Sequence, residues 1–218
     1  MVTSGITLTI IIVIFTCIIS YQAFNDQMMR NKFLFHPASV AEFGQYYRFI
    51  TSGFLHGSWM HLGVNMFVLW QFGESLEKSF MLMFGDMAGR LCYVILYLGA
   101  IIFGSLPLFI KHRNNQYYSA LGASGGVSGV LFALMVIAPW SGIRFIFFPF
   151  FDIPFIVFGV LYLVYEQYQS KQGGGRIAHD AHIWGAVFGV VAMLAFTFAL
   201  RPELLNVYLQ NFLAGPQI

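Results

Sequence analysis

The sequence predicts an all-α protein that crosses a membrane six times, and three observations carry that prediction. Of its 218 residues, 58% are hydrophobic and 18% aromatic while only 9% are charged, against about 25% charged in soluble domains. Apolar stretches of helical span length recur along the chain, each bounded by charge or by Gly/Pro clusters. The few polar residues inside them gather at the starts of alternate stretches. A net charge of +2 with no basic run or tail excludes a nucleic-acid footprint.

The first span covers residues 6–24; it is uncharged and no basic flank precedes it, so a retained span is expected rather than a removable signal. The connection 25–59 is long and amphipathic, with Phe33, Phe35, Phe43, Tyr46, Tyr47 and Phe49 among polar residues, as suits a segment lying in the interface. Spans two to six cover 60–76, 91–110, 124–139, 153–168 and 181–200. The connections between them are shorter and there is no internal repeat, so one domain over 1–218 is expected. Cys17 and Cys92 sit inside apolar stretches and read as small buried hydrophobes.

Polar groups in a span are costly and become functional candidates. Span two opens with His61 and Asn65, span four with Ser124 and span six with His182. Even-numbered spans of one chain run in the same direction, so these four side chains converge near one membrane face. His61 and Asn65 are four residues apart and project from one helical face. Gly122/Gly126 and Gly125/Gly129 around Ser124, and Gly185/Gly189 after His182, are small-xxx-small pairs that let helices approach closely. Packing spans four and six through these glycines sets His182 against Ser124. An imidazole within about 3 Å activates a hydroxyl by taking its proton. A Ser124–His182 dyad is therefore expected, with its oxyanion met by His61, Asn65 and the backbone N–H groups that open span four.

Blander readings apply to the rest. Ser128 is read as structural, and His36, His56, His112 and His179 as interfacial hydrogen-bonders. Asp180, two residues from His182, points away from it if the helix has begun, so no acidic third member is assigned. Glu77 reads as a structural hydrogen bond or cap on the far side, and Glu166 as a group snorkelling into the headgroups. His56, His61, His179 and His182 could supply four imidazoles, but no thiol joins them and a metal leaves Ser124 and Asn65 without a role. No metal and no cofactor is expected. Gly122-Ala123-Ser124-Gly125-Gly126 also fits the nucleophile elbow of soluble hydrolases, which needs an alternating α/β chain that these flanks do not provide.

The chain resembles the rhomboid intramembrane serine proteases. Gly122-Ala123-Ser124-Gly125 is similar to their GxSG, Ala181-His182 with Gly185 and Gly189 to their AH…GxxxG, and His56…His61…Asn65 to their HxxxxHxxxN. The likeness covers essentially all six predicted spans. It implies Ser124 as nucleophile, His182 as general base and acid, and His61, Asn65 and the Ser124 N–H as oxyanion donors. It further implies a rhomboid-like bundle with a water-filled cavity below the surface, a gate at span five, and a cap over 169–180 with Gly173-Gly174-Gly175. Two departures stand out: Tyr47-Arg48 replaces a common Trp-Arg pair, and Ser128 stands where an aromatic often stacks on the catalytic histidine. Neither removes a catalytic group, so an active enzyme is expected.

Loop charges alone put the seven basic residues Arg30, Lys32, Arg48, Lys111, Arg113, Lys171 and Arg176 in the cytoplasm. The family's usual orientation puts the termini there instead, with the site facing outward. Three of the seven lie in the long first loop, which can fold as structure, so cytoplasmic termini in a cell inner membrane are expected. The expected function is intramembrane serine endopeptidase, with transmembrane protein substrates and the lipid bilayer as partners. The alternative is an inactive rhomboid-like protein that binds client helices. A channel or transporter is disfavoured, because the polar residues crowd one face and the middles of spans one and three are apolar.

Overall fold

The structure is a computed structural model that describes residues 5–145, 148–172 and 179–216. Helix α1 (Leu8–Asn25) starts at Thr7, whose side chain accepts the Ile10 N–H. Its first turn is also capped from outside: Glu77, fully buried, accepts the Leu8 and Thr9 N–H groups and the Thr9 hydroxyl, and pairs with Arg90 at 3.0 Å. This anchor answers a general need, since a helix's first N–H groups have no partner within the helix.

The connection 25–59 folds into α2 (Gln27–Phe33), α3 (Pro37–Phe43), α4 (Arg48–Thr51) and a 3-10 turn at Ser52–Phe54. Asp26 and His36 cap the first two, and Pro37 opens α3, where a missing N–H costs nothing. Its aromatic residues do not behave as one set. Phe35 and Phe49 are buried in a core with Val40 and Leu108, while Phe43, Tyr46 and Tyr47 are exposed. Arg48 ties the loop together, donating to the Asn31 and Leu34 carbonyls and to the Gln45 side chain.

Helix α5 (Trp59–Val68) continues through a π turn (Leu69–Gly73) into α6 (Glu74–Phe84). Such single wide turns are commonly found at functional sites. Gly73 closes the turn where the Tyr93 hydroxyl lies 2.6 Å from the place a Cβ would occupy. Gly85, at φ 88, makes the reversal into α7 (Asp86–His112). Next come α8 (Ser124–Ile137), strands β1 (Gly142–Phe145) and β2 (Phe148–Pro154), α9 (Phe155–Gln172), α10 (His179–Leu200) and α11 (Glu203–Leu213).

Each predicted apolar stretch meets a helix, with differences. Residues 153–154 are the end of β2 rather than the start of a span, and Glu203–Leu213 is a further helix. The antiparallel hairpin, with Ile143 opposite Ile153, departs from an all-α chain. Pro149 and Pro154 cannot donate a helical hydrogen bond, and the Phe- and Ile-rich sequence between them suits a strand. Among the described residues three helices, α1, α7 and α10, are long and apolar enough to cross a membrane. The predicted cap 169–180 has its centre, residues 173–178, outside the described residues, as does the Glu166 side chain.

Helices α8, α10 and α7 form the packed centre. Gly125 and Gly129 of α8 face Gly185 and Gly189 of α10 so closely that a Cβ on either α10 glycine would collide with an α8 carbonyl. Gly126 lies against the Tyr97 ring of α7, and a Cβ on Gly129 would also meet Ala100 of α7. Gly122 is not a helix-packing residue: it lies before α8 with φ 134.

Candidate active site

Three elements bring the predicted polar residues to one place. Ser58 caps α5 by accepting the His61 N–H at 3.2 Å, which starts the helix three residues before the His61 ring must face inward. One turn later, Asn65 donates an amide hydrogen to the His61 carbonyl at 2.9 Å, leaving its second N–H to act. Ser124 is the first residue of α8, and His182 lies one turn into α10.

His61, Asn65, Ser124 and His182 all line one cavity of about 320 Å³. Its remaining wall is mostly apolar, built from Val68, Phe72, Val127, Leu131, Ile143 and Phe158, with Ser128 and Tyr162 beside the four. Asn65 and His182 are buried, and His61 and Ser124 are partly open. Gly122 explains how close the approach is. The spot where its Cβ would stand is 3.1 Å from His61 Nε2 and 3.7 Å from Ser124 Oγ, so a side chain there would fill the space between them.

The backbone before Ser124 is held from three directions. Gly122 N–H donates to the Ser52 carbonyl at 3.0 Å, and Ala120 pairs with Phe35 through two 2.9 Å backbone bonds. Ala123 N–H donates to His56 Nε2 at 3.4 Å. Because Nε2 accepts, the His56 proton sits on Nδ1 and is donated to Ser20 Oγ at 2.9 Å, whose hydroxyl passes on to the Phe54 carbonyl. Burial, with His61 beside it, pushes the His56 imidazole down to about 3, which keeps this chain of donors neutral. His56 was expected at the interface; it is instead fully buried beneath the predicted nucleophile. The His56-xxxx-His61 spacing was its one legible signal.

His179 is buried too, with its ring 6.0 Å from that of His182. Asp180 pairs with Lys111 of α7 at 3.6 Å. His36 bridges Ser39 and the Gln116 carbonyl, and His112 stacks on Tyr118 at 3.6 Å. Among the described residues no group of three or more His, Cys, Asp or Glu is arranged to hold a metal ion. A hydroxyl, an imidazole, helix-terminal N–H groups and two side-chain donors around one apolar-walled cavity are the components of acyl transfer.

The family model for the Rhomboid domain matches residues 43–198. Among curated proteins the chain is similar to RHOMBOID-like protein 12, mitochondrial, of Arabidopsis thaliana, 25% identical over 80% of this chain and 53% of that protein. It is 28% identical to Presenilin-associated rhomboid-like protein, mitochondrial, of Homo sapiens, over 65% of this chain and 35% of that protein. Rhomboid-like protein 11, chloroplastic, of Arabidopsis thaliana is 29% identical over 77% of this chain and 57% of that protein. The chain thus spans between about a third and a little over half of these relatives' lengths. Relatives named for mitochondria and chloroplasts overturn the expected cell inner membrane with cytoplasmic termini.

Proposed function

The chain belongs to the rhomboid family, and on that premise we propose that it is an intramembrane serine endopeptidase of an organellar membrane. One observation carries the reading: His61, Asn65, Ser124 and His182, from three separate helices, line the same cavity. The proposal takes residues 1–218 as one membrane domain, a six-span bundle in which 59–84, α8 and α9 cross together with the three longer helices.

A transmembrane substrate keeps its peptide bonds hydrogen-bonded and dry, so it must unwind locally at the cavity before attack. Ser124 Oγ then adds to the exposed carbonyl carbon while His182 takes the hydroxyl proton. The resulting oxyanion is met by the Ser124 N–H, the free Asn65 N–H and His61, with the α8 dipole adding positive potential. The C–N bond breaks as His182 returns the proton to the leaving amine, and water, deprotonated by His182, releases the acyl group. Helix-breaking and small residues near the substrate's membrane end favour the cut.

The test is reaction of the detergent-solubilised protein with a fluorophosphonate probe, comparing wild type with Ser124→Ala and His182→Ala. Labelling of the wild type that disappears in both variants is expected. Labelling that persists in Ser124→Ala, or its absence from a folded wild type, overturns the reading and moves the weight to an inactive rhomboid-like binder of client helices.

A further inference from the structure

Helix α9 meets the predicted base with a ring. Tyr162 lies nearly parallel to the His182 imidazole, with planes 14° apart and centroids at 6.4 Å, the offset arrangement that aromatic rings prefer to a direct sandwich. Its phenol oxygen is 2.9 Å from Ser128 Oγ, and Ser128 is buried one turn beyond Ser124 on the same face of α8. Phe158 of α9 and Phe132 of α8 flank the Tyr162 ring, each with its centroid at 6.1 Å. Gly159, between Phe158 and Tyr162, lets the helices close: a Cβ there would stand 2.7 Å from Met135 Sδ. One side chain therefore joins α9 to α8 by a hydrogen bond and to α10 by a stack.

The plane of an imidazole is weakly set by its own backbone, because the second torsion of histidine has a broad, roughly two-fold profile. A base must nevertheless aim at the hydroxyl it serves, and misplacement by about 1 Å can cost about a hundredfold in rate. A parallel ring on one side restricts that torsion directly. A phenol in a mostly apolar wall needs a partner for its hydroxyl, and buried Ser128 supplies one.

We infer that Tyr162 is the positioning residue of His182, and that Ser128 acts through it by holding the phenol. This rests on the reading of Ser124 and His182 as nucleophile and base. It makes α9 a part of the dyad's geometry and not merely a wall of the cavity.

The experiment measures fluorophosphonate labelling of the full chain in detergent, separating the maximal inactivation rate from the probe's half-saturation concentration. Tyr162→Leu is expected to lower the maximal rate by about tenfold or more while half-saturation and the thermal midpoint stay close to wild type. Tyr162→Phe keeps the stack and loses only the hydrogen bond, so it and Ser128→Ala should each fall a few-fold, and the double variant no further, since both remove one interaction. Effects that add, or a Tyr162→Leu variant labelled at the wild-type maximal rate, overturn the inference and leave the dyad standing. Rate losses that merely track a lowered thermal midpoint also overturn it, as a packing role. Wild-type labelling that survives Ser124→Ala overturns the dyad itself, and the inference with it.

Discussion

At the scale of single residues, His56 shows how a buried, neutral imidazole can hold the backbone that leads into Ser124. Its Nε2 holds the Ala123 N–H while its Nδ1–H is committed to Ser20, so protonation would break the first bond and place a cation beside His61. The folded-state value of about 3 lies below the ordinary 6.5. The sign follows: stability is complete above about 6.5 and is lost as the pH falls towards 3, by up to about 1.4 kcal/mol per pH unit. Thermal unfolding in detergent from pH 7 to pH 4 should show this loss, and His56→Gln, which accepts the Ala123 N–H without titrating, should flatten it. An acid limb unchanged in His56→Gln would assign the loss to another group. The histidine was visible in the sequence, but its burial was not, because five residues of spacing do not say whether a loop folds back under α8.

At the scale of elements, the glycines divide by what they touch. Gly189 sits against the Gly129 backbone, so a methyl group there has to push α10 from α8 and separate His182 from Ser124. Gly189→Ala should therefore lower the thermal midpoint, with overpacking of about 1–3 kcal/mol, and reduce probe labelling. Gly63, on α5, has no atom within 4 Å of a built Cβ, and Gly63→Ala should be neutral or stabilising by up to about 1 kcal/mol. Equal effects from the two substitutions would mean that helix propensity, not close approach, decides both. Spacing alone marked Gly122, Gly125, Gly126 and Gly129 as one packing set. Only the fold separates them: Gly125 and Gly129 lie in the seam where α10 and Ala100 of α7 meet α8, Gly126 lies against the Tyr97 ring, and Gly122 keeps space open beside His61. Strands β1 and β2 and the helix α11 are not legible in the sequence for a related reason: in so apolar a chain, a strand and a short amphipathic helix look like ragged span ends.

At the scale of the whole molecule, two polar centres hold the ends of the helices. Ser124 and its neighbours mark one; the other is Glu77, with the start of α1, Tyr93 reached through Thr9, and Arg90. Glu77 lies 16 residues beyond His61 on one continuous helical run, about 24 Å at 1.5 Å per residue. Removing this carboxylate strands the Leu8 and Thr9 N–H groups and leaves Arg90 its bond to Asp86, so Glu77→Ala should cost about 2–4 kcal/mol and lower the thermal midpoint by several degrees. The fraction that remains folded should still label at the wild-type maximal rate. A drop in that rate would mean that α1 reaches the site by more than anchoring Ser20 near His56. The first loop belongs to this scale as well. Its Phe35 and Phe49 left the interface for a core, because the 25–59 segment pairs with Ala120 and so sets the backbone leading to Ser124.

What the amino-acid sequence by itself determined was the membrane class, the approximate helices, and the candidate residues His61, Asn65, Ser124 and His182, as well as the family. The first three follow from local quantities: apolar run length, the cost of a polar group in a span, and spacings of three and four along a helix; the family came from the likeness of the Ser124, His182 and His56-to-Asn65 motifs to known ones. The tertiary structure alone decided which face each glycine turns to, that His56 lies beneath Ser124, that Glu77 caps α1, and that a tyrosine from α9 stands on His182. These are contacts between residues far apart in the chain. Their energies depend on which helices are neighbours and at what separation, which no periodicity within one helix encodes.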